Sequence, residues 1–170
     1  SYVAALTGVA TLLDKSRLAR KQELIRQAET AMRHLIDRID PGNPHWKRGL
    51  SEIIDTDGTR LSDEKQYETA LARYRESLAI REALFVEHPD DASLLRSLAL
   101  SHDYVGEQLV RLERHAEAIA ELEKSLGYRE TRAARFPADL SYRRNAAKSK
   151  DKIATLYLRE TRDYAKAEPL

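Results

Sequence analysis

Residues 67–106 read YETALARYRESLAIREALFVEHPDDASLLRSLALSHDYVG, and this stretch decides the fold. Before Pro89, Leu71, Tyr74, Leu78 and Ala79 fall at the three- and four-residue spacing that gathers apolar side chains on one helix face. Pro89 has no amide donor and its ring clashes with the preceding turn, so it stops that helix. Asp91 then stands where an N-cap carboxylate accepts from the open amides of a second helix. The stretch is a helix, a tight break and another helix.

Outward from it, the arrangement returns. Pro41, Pro89 and Pro137 are 48 residues apart, as are Arg33, Arg81 and Arg129 before them and Arg48, Arg96 and Arg144 after them. Trp46, Leu94 and Tyr142 correspond, as do Gly58 with Gly106, Ala70 with Ala118, Ser77 with Ser125 and Leu78 with Leu126. So many coincidences at one offset are not chance, and a period of this size marks a repeat array. The spacing predicts helices over 3–15, 18–39, 43–61, 64–87, 91–111, 114–135 and 139–160, with a stub from 163; Asp139 is the counterpart of the Asp91 cap.

A single helix pair cannot bury its apolar face, so neighbouring pairs must stack and share a core that runs along the array. The chain reads as one array over 1–170: a partial first unit at 1–40, units at 41–88 and 89–136, and a truncated last unit at 137–170. Both ends fall inside a unit, so a fragment of a larger protein is expected. The uncharged run Ser1–Leu13 is too short to span a bilayer, which takes about 20 apolar residues. It reads as a first helix, with the tail of a longer apolar segment as the alternative. The chain has no cysteine, hence no disulfide, zinc–thiolate site or thiol nucleophile, and a cytoplasmic location is expected.

These units resemble tetratricopeptide repeats. Such a repeat carries a small residue in its first helix, an aromatic opening the second, and an alanine three residues later where the two touch. Those roles fall on Gly58, Tyr67 and Ala70, on Gly106, His115 and Ala118, and, with one extra residue in the turn, on Ala154, Tyr164 and Ala167. The long 48-residue form is similar to arrays of bacterial multidomain signalling proteins, on Tyr74–Glu82 and on Pro41-Gly42-Asn43 with Trp46 and Leu50. Residues 164–170 (YAKAEPL) are similar to kinesin light chain repeats. The resemblance implies an all-α, right-handed superhelical solenoid of antiparallel helix pairs that binds proteins or peptides and catalyses nothing. Asp57 departs from it, standing where relatives carry a core aliphatic. A buried unpaired carboxylate is costly, so the helix is expected to fray or end early there.

Motifs for other chemistry are incomplete. Asp55, Asp57, Gly58 and Glu64 imitate a calcium loop, but its first ligand place is Ile53, which cannot coordinate. His34, His45, His88, His102 and His115 form no zinc-binding pair, and most are expected at the surface. Gly8, Gly42, Gly49, Gly58, Gly106 and Gly127 are scattered, so no phosphate loop exists, and no GxSxG elbow is present. No enzyme activity, metal or cofactor is expected.

Asp55, Asp103 and Asp151 are 48 apart at a position that, in the register of the resembled repeats, faces the concave groove. A carboxylate ladder there would favour a lysine- or arginine-bearing peptide or a ladder of backbone amides. The plainer reading is that these aspartates pair with neighbours such as Lys152 or face water. Asp55, Asp103 and Asp151, with Glu107 and Arg111 a turn or two away, are the candidate partner-binding residues. Charge is uneven: residues 1–48 carry +4, 49–128 carry −8 and 129–170 carry +5. Arg143, Arg144, Lys148, Lys150 and Lys152 crowd one helix and could meet an acidic partner, anionic lipid or nucleic acid. Only Tyr142 offers a stacking ring there, so nucleic acid is not expected, nor is a membrane. A solvated face, or docking on the acidic middle of another copy, is the simpler use of that charge. The function expected is a protein-interaction scaffold; the alternative is a self-associating or regulatory module beside an effector domain.

Overall fold

The structure, a computed structural model, describes the backbone of residues 2–158 and the side chains of residues 16–158. Six helices follow one another: α1 (Tyr2–Arg38), α2 (Pro44–Asp63), α3 (Tyr67–Glu87), α4 (Ala92–Arg111), α5 (His115–Arg135) and α6 (Leu140–Leu156), with no strand among the described residues. Extensive packing joins helices consecutive in sequence, as a repeat array requires. Thinner contacts join alternate helices. Arg48 reaches from α2 to Asp91 and Ser93 at the start of α4, and Lys152 of α6 reaches Glu107 of α4. On the other side, Phe85 of α3 meets Tyr128 of α5 edge-on. Thus α2, α4 and α6 form one layer and α3 and α5 the other: an all-α solenoid of stacked helix pairs.

The 48-residue period is written into the joints. Asn43, Asp91 and Asp139 cap α2, α4 and α6, each accepting from the amide two residues on. Helices α2 and α4 end on the same turn, in which Lys65 and Glu113 take left-handed φ angles of 60° and 59°. Their following amides, of Gln66 and Arg114, close back on the carbonyls of Leu61 and Leu109. This turn starts α3 at Tyr67 rather than at 64.

Helices expected separately at 3–15 and 18–39 are one, α1. The joining residues Asp14-Lys15-Ser16-Arg17-Leu18 hold no proline or glycine, and nothing in them interrupts a helix. Nor does α2 fray at Asp57. Arg60 and Arg73 both donate to that carboxylate, so it is not unpaired, and the helix runs on to Asp63. Arg73 also reaches Glu29 and Glu76, and Arg33 binds the same two, so one ionic network ties α1, α2 and α3. The stub from 163, with Tyr164 and Ala167, lies outside the described residues.

The core runs along the seam between the layers, through Leu61, Leu71, Leu98, Leu109, Leu122 and Ile153. Ala70 and Ala118 are completely buried at the helix crossings, as the resemblance implies. Gly58 and Gly106 give the close approach: a Cβ on Gly58 would stand 2.8 Å from the Tyr74 ring, and one on Gly106 3.0 Å from Leu122 Cγ.

Candidate ligand groove

At the crossings the repeat builds a polar clamp. Arg81 of α3 binds Asp55 of α2 at 2.6 Å and donates to Ser101 of α4 at 2.5 Å. One period later, Arg129 of α5 binds Asp103 of α4 and donates to Ser149 of α6 at 2.6 Å. Each arginine thus fastens the first helix of its own unit to the first helix of the next. Ser77 and Ser125 complete the joint by donating to the carbonyls of Ser51 and Ala99. Such pairs are largely withdrawn from water, where losing one partner strands the other charge at a cost of about 3–5 kcal/mol.

Above each clamp lies a hollow between neighbouring first helices. The α2–α4 hollow, about 350 Å³, holds Asp55 and Arg81 with Glu52, Arg96, Leu100 and Tyr104. Burial, and after it the Asp55 carboxylate, pushes the Tyr104 hydroxyl above its ordinary pKa. Asp55 Oδ1 is buried there without a hydrogen-bond partner. The α4–α6 hollow, about 300 Å³, holds the Asp103–Arg129 clamp beneath a floor of Leu95, Ala99 and Leu100. Arg96, Arg132, Lys148 and Lys152 rise around it. Leu100 and Tyr104 of the first hollow are replaced by Lys148 and Lys152 one period on.

The candidates named from sequence divide. Asp55 and Asp103 sit in successive hollows, but each is held by an arginine rather than by Lys152. Glu107, exposed, binds Lys152 at 2.7 Å and lines neither hollow itself. Asp151 and Arg111 are exposed and line neither hollow. The repeat offset found the aspartates; it could not show that their partners lie 26 residues on, on the next helix.

Two lining residues were not singled out as a site. Arg96 matches Arg48 and Arg144 in the repeat, yet Arg48 engages Asp91 and Ser93 whereas Arg96 makes no side-chain hydrogen bond or ion pair among the described residues. Arg132 replaces Leu84, which is completely buried. Its guanidinium lies 3.9 Å over the Tyr142 ring and donates to that hydroxyl. The signal for Arg132 was an arginine at a position that is leucine one period earlier.

His34, His45 and His88 are exposed as expected, whereas His102 is almost fully buried. It stacks on Tyr128, and its Nδ1 lies 2.7 Å from Glu121 Oε2. The bond from His102, aided by Lys124, holds the Glu121 carboxyl down to about 2. The stretch imitating a calcium loop lies in α2 as far as Asp63, and Asp57 and Glu64 both accept from Arg60.

No family model matches the chain, and no curated protein does. Among solved structures it is similar to the crystal structure of BtubC (BKLC) from P. vanneervenii, with a TM-score of 0.60 and 20% identity. The likeness covers 89% of this chain and 53% of that one, so the chain spans about half the length of that structure. It shows the fold, a tetratricopeptide repeat (TPR)-like helical-repeat array.

Proposed function

We propose that this chain is a non-catalytic protein-interaction scaffold that takes a peptide or protein segment along the α2–α4–α6 layer. We assign it to a multidomain bacterial signalling protein of the cytoplasm. The observation that carries this reading is the pair of hollows at equivalent places in successive units, adjoining across Arg96 and Leu100 of α4, which line both and which one extended segment could cross. Each has a polar clamp at its base and an apolar patch from Leu100, the combination of anchor and orientation that recognition sites use. BtubC (BKLC), with its TPR-like fold, is in keeping with a binding array.

The test is a photo-crosslinking residue placed at Leu100, between the hollows, and in parallel at exposed Glu82 on α3, in the native cell. A distinct protein crosslinked from position 100 and absent from position 82 supports the groove. Equal capture from both positions, or none from position 100, contradicts it.

Self-association is the second reading, favoured by the charge sequence of +4, −8 and +5 along the chain. Copies joined through those segments would dissociate as salt shortens the Debye length from about 10 Å at 0.1 M to about 3 Å at 1 M. A mass in sedimentation that is independent of salt and concentration rules it out.

A further inference from the structure

We propose that the α4–α6 hollow selects an acidic segment: an extended peptide placing carboxylates against Arg96, Arg132 and Lys148 and an apolar side chain on Leu100, the half-buried residue over the buried Leu95 and Ala99. The inference rests on the groove reading and reverses the charge that the aspartate ladder suggested from sequence. Asp103 is already neutralised by Arg129, and Lys152 by Glu107. What remains facing the hollow is cationic. Arg96 and Lys148 are exposed and have no side-chain partner among the described residues, and Arg132 is engaged by a phenol rather than by a carboxylate. In all, five cations and one carboxylate line this hollow, against two of each in the α2–α4 hollow. The preference for negative charge therefore belongs to one hollow and not to the groove at large.

The occupant fits a peptide better than other anions. The space holds a few side chains, and its floor is apolar, which a phosphate backbone would not use. Tyr142, the ring lining the hollow, has one face under the Arg132 guanidinium and meets the Phe136 ring edge-on, which leaves a nucleobase little to stack on. Two fresh carboxylate contacts, to exposed Arg96 and Lys148, are each worth about threefold, so the charge term amounts to about tenfold in affinity.

The experiment uses the whole chain and a library of fluorescent octapeptides that alternate Glu, Gln or Lys with apolar residues. Each peptide is read by anisotropy and by crosslinking to the photo-reactive residue at Leu100. Glu peptides should bind about tenfold tighter than their Gln counterparts, and the margin should shrink as salt rises. The double variant Arg96→Glu and Lys148→Glu changes exposed side chains only, keeps its helicity by circular dichroism, and should reverse the preference toward the Lys peptides. Peptides that crosslink at Leu100 without favouring Glu, or a variant with unchanged preference, overturn the acidic assignment and leave the groove reading standing. If no peptide of the three classes crosslinks there, both fail. Competition by an unstructured oligonucleotide or by anionic vesicles that abolishes peptide binding would also overturn it, in favour of that other anion.

Discussion

Glycine has opposite meanings at two places in this chain. Gly58 lies against the rigid Tyr74 ring, itself stacked on Tyr104 at 5.0 Å and bonded through its hydroxyl to Thr59. Gly127, in α5, faces open space. Gly127→Ala should therefore gain about 0.5–1 kcal/mol from helix propensity. Gly58→Ala should lose about 1–3 kcal/mol through overpacking, despite the same propensity gain. Thermal melts of the two variants check this; equal shifts would mean that the α2–α3 crossing is looser than described. Glu121 gives a residue-scale pH effect. Its carboxyl is depressed in the folded chain, to about 2 from an ordinary 4.5, so its contribution is complete above about pH 4.5 and is lost as pH falls toward 2. Denaturant midpoints of the chain and of Glu121→Gln should differ at pH 6 and converge across that window. A gap that stays constant into acid would show that the His102 bond does not set the carboxyl's affinity for protons.

Elements were legible in sequence wherever the cause is local. Proline breaks and cap carboxylates lie next to the helix ends they govern, and Asp91 and Asp139 cap as read. Where a distant partner also acts, the reading failed. Asp57 accepts from Arg60, three residues on, a local pairing the reading passed over, and from Arg73, sixteen residues on and on another helix, which only the fold reveals. The turns after α2 and α4 were hidden for a different reason: the left-handed place is held by Lys65 and Glu113, not by the glycine that would announce it. Those side chains carry steric cost there. Lys65→Gly and Glu113→Gly should each stabilise by about 0.5–1 kcal/mol, relief of strain outweighing the entropy of glycine, read as a rise of about 1–4 °C in Tm. A fall in Tm for both would mean that the two turns do not hold a left-handed residue in solution.

At the scale of the molecule, the same offset that reveals the fold also shows where the units part company. Arg81 and Arg129 clamp every described crossing between successive first helices, which keeps the scaffold uniform. Around that constant frame the lining changes, from Leu100 and Tyr104 to Lys148 and Lys152, and gives adjacent hollows different charge. The repeated aspartates were the conspicuous feature in sequence because they recur; the proposed ligand contacts, Arg96 and Arg132, stand out only by what their repeat counterparts do instead. Recurrence reports the frame, and departure from it reports the site. The central claim is that partners enter by the α2–α4–α6 layer. Amide chemical-shift mapping of this 170-residue chain with the Glu-bearing octapeptides tests it most directly. Perturbations gathered at Arg96, Leu100, Asn145 and Lys148 are the predicted result; perturbations centred on exposed Glu82 of α3 and Ala120 of α5, with those four unmoved, would contradict it.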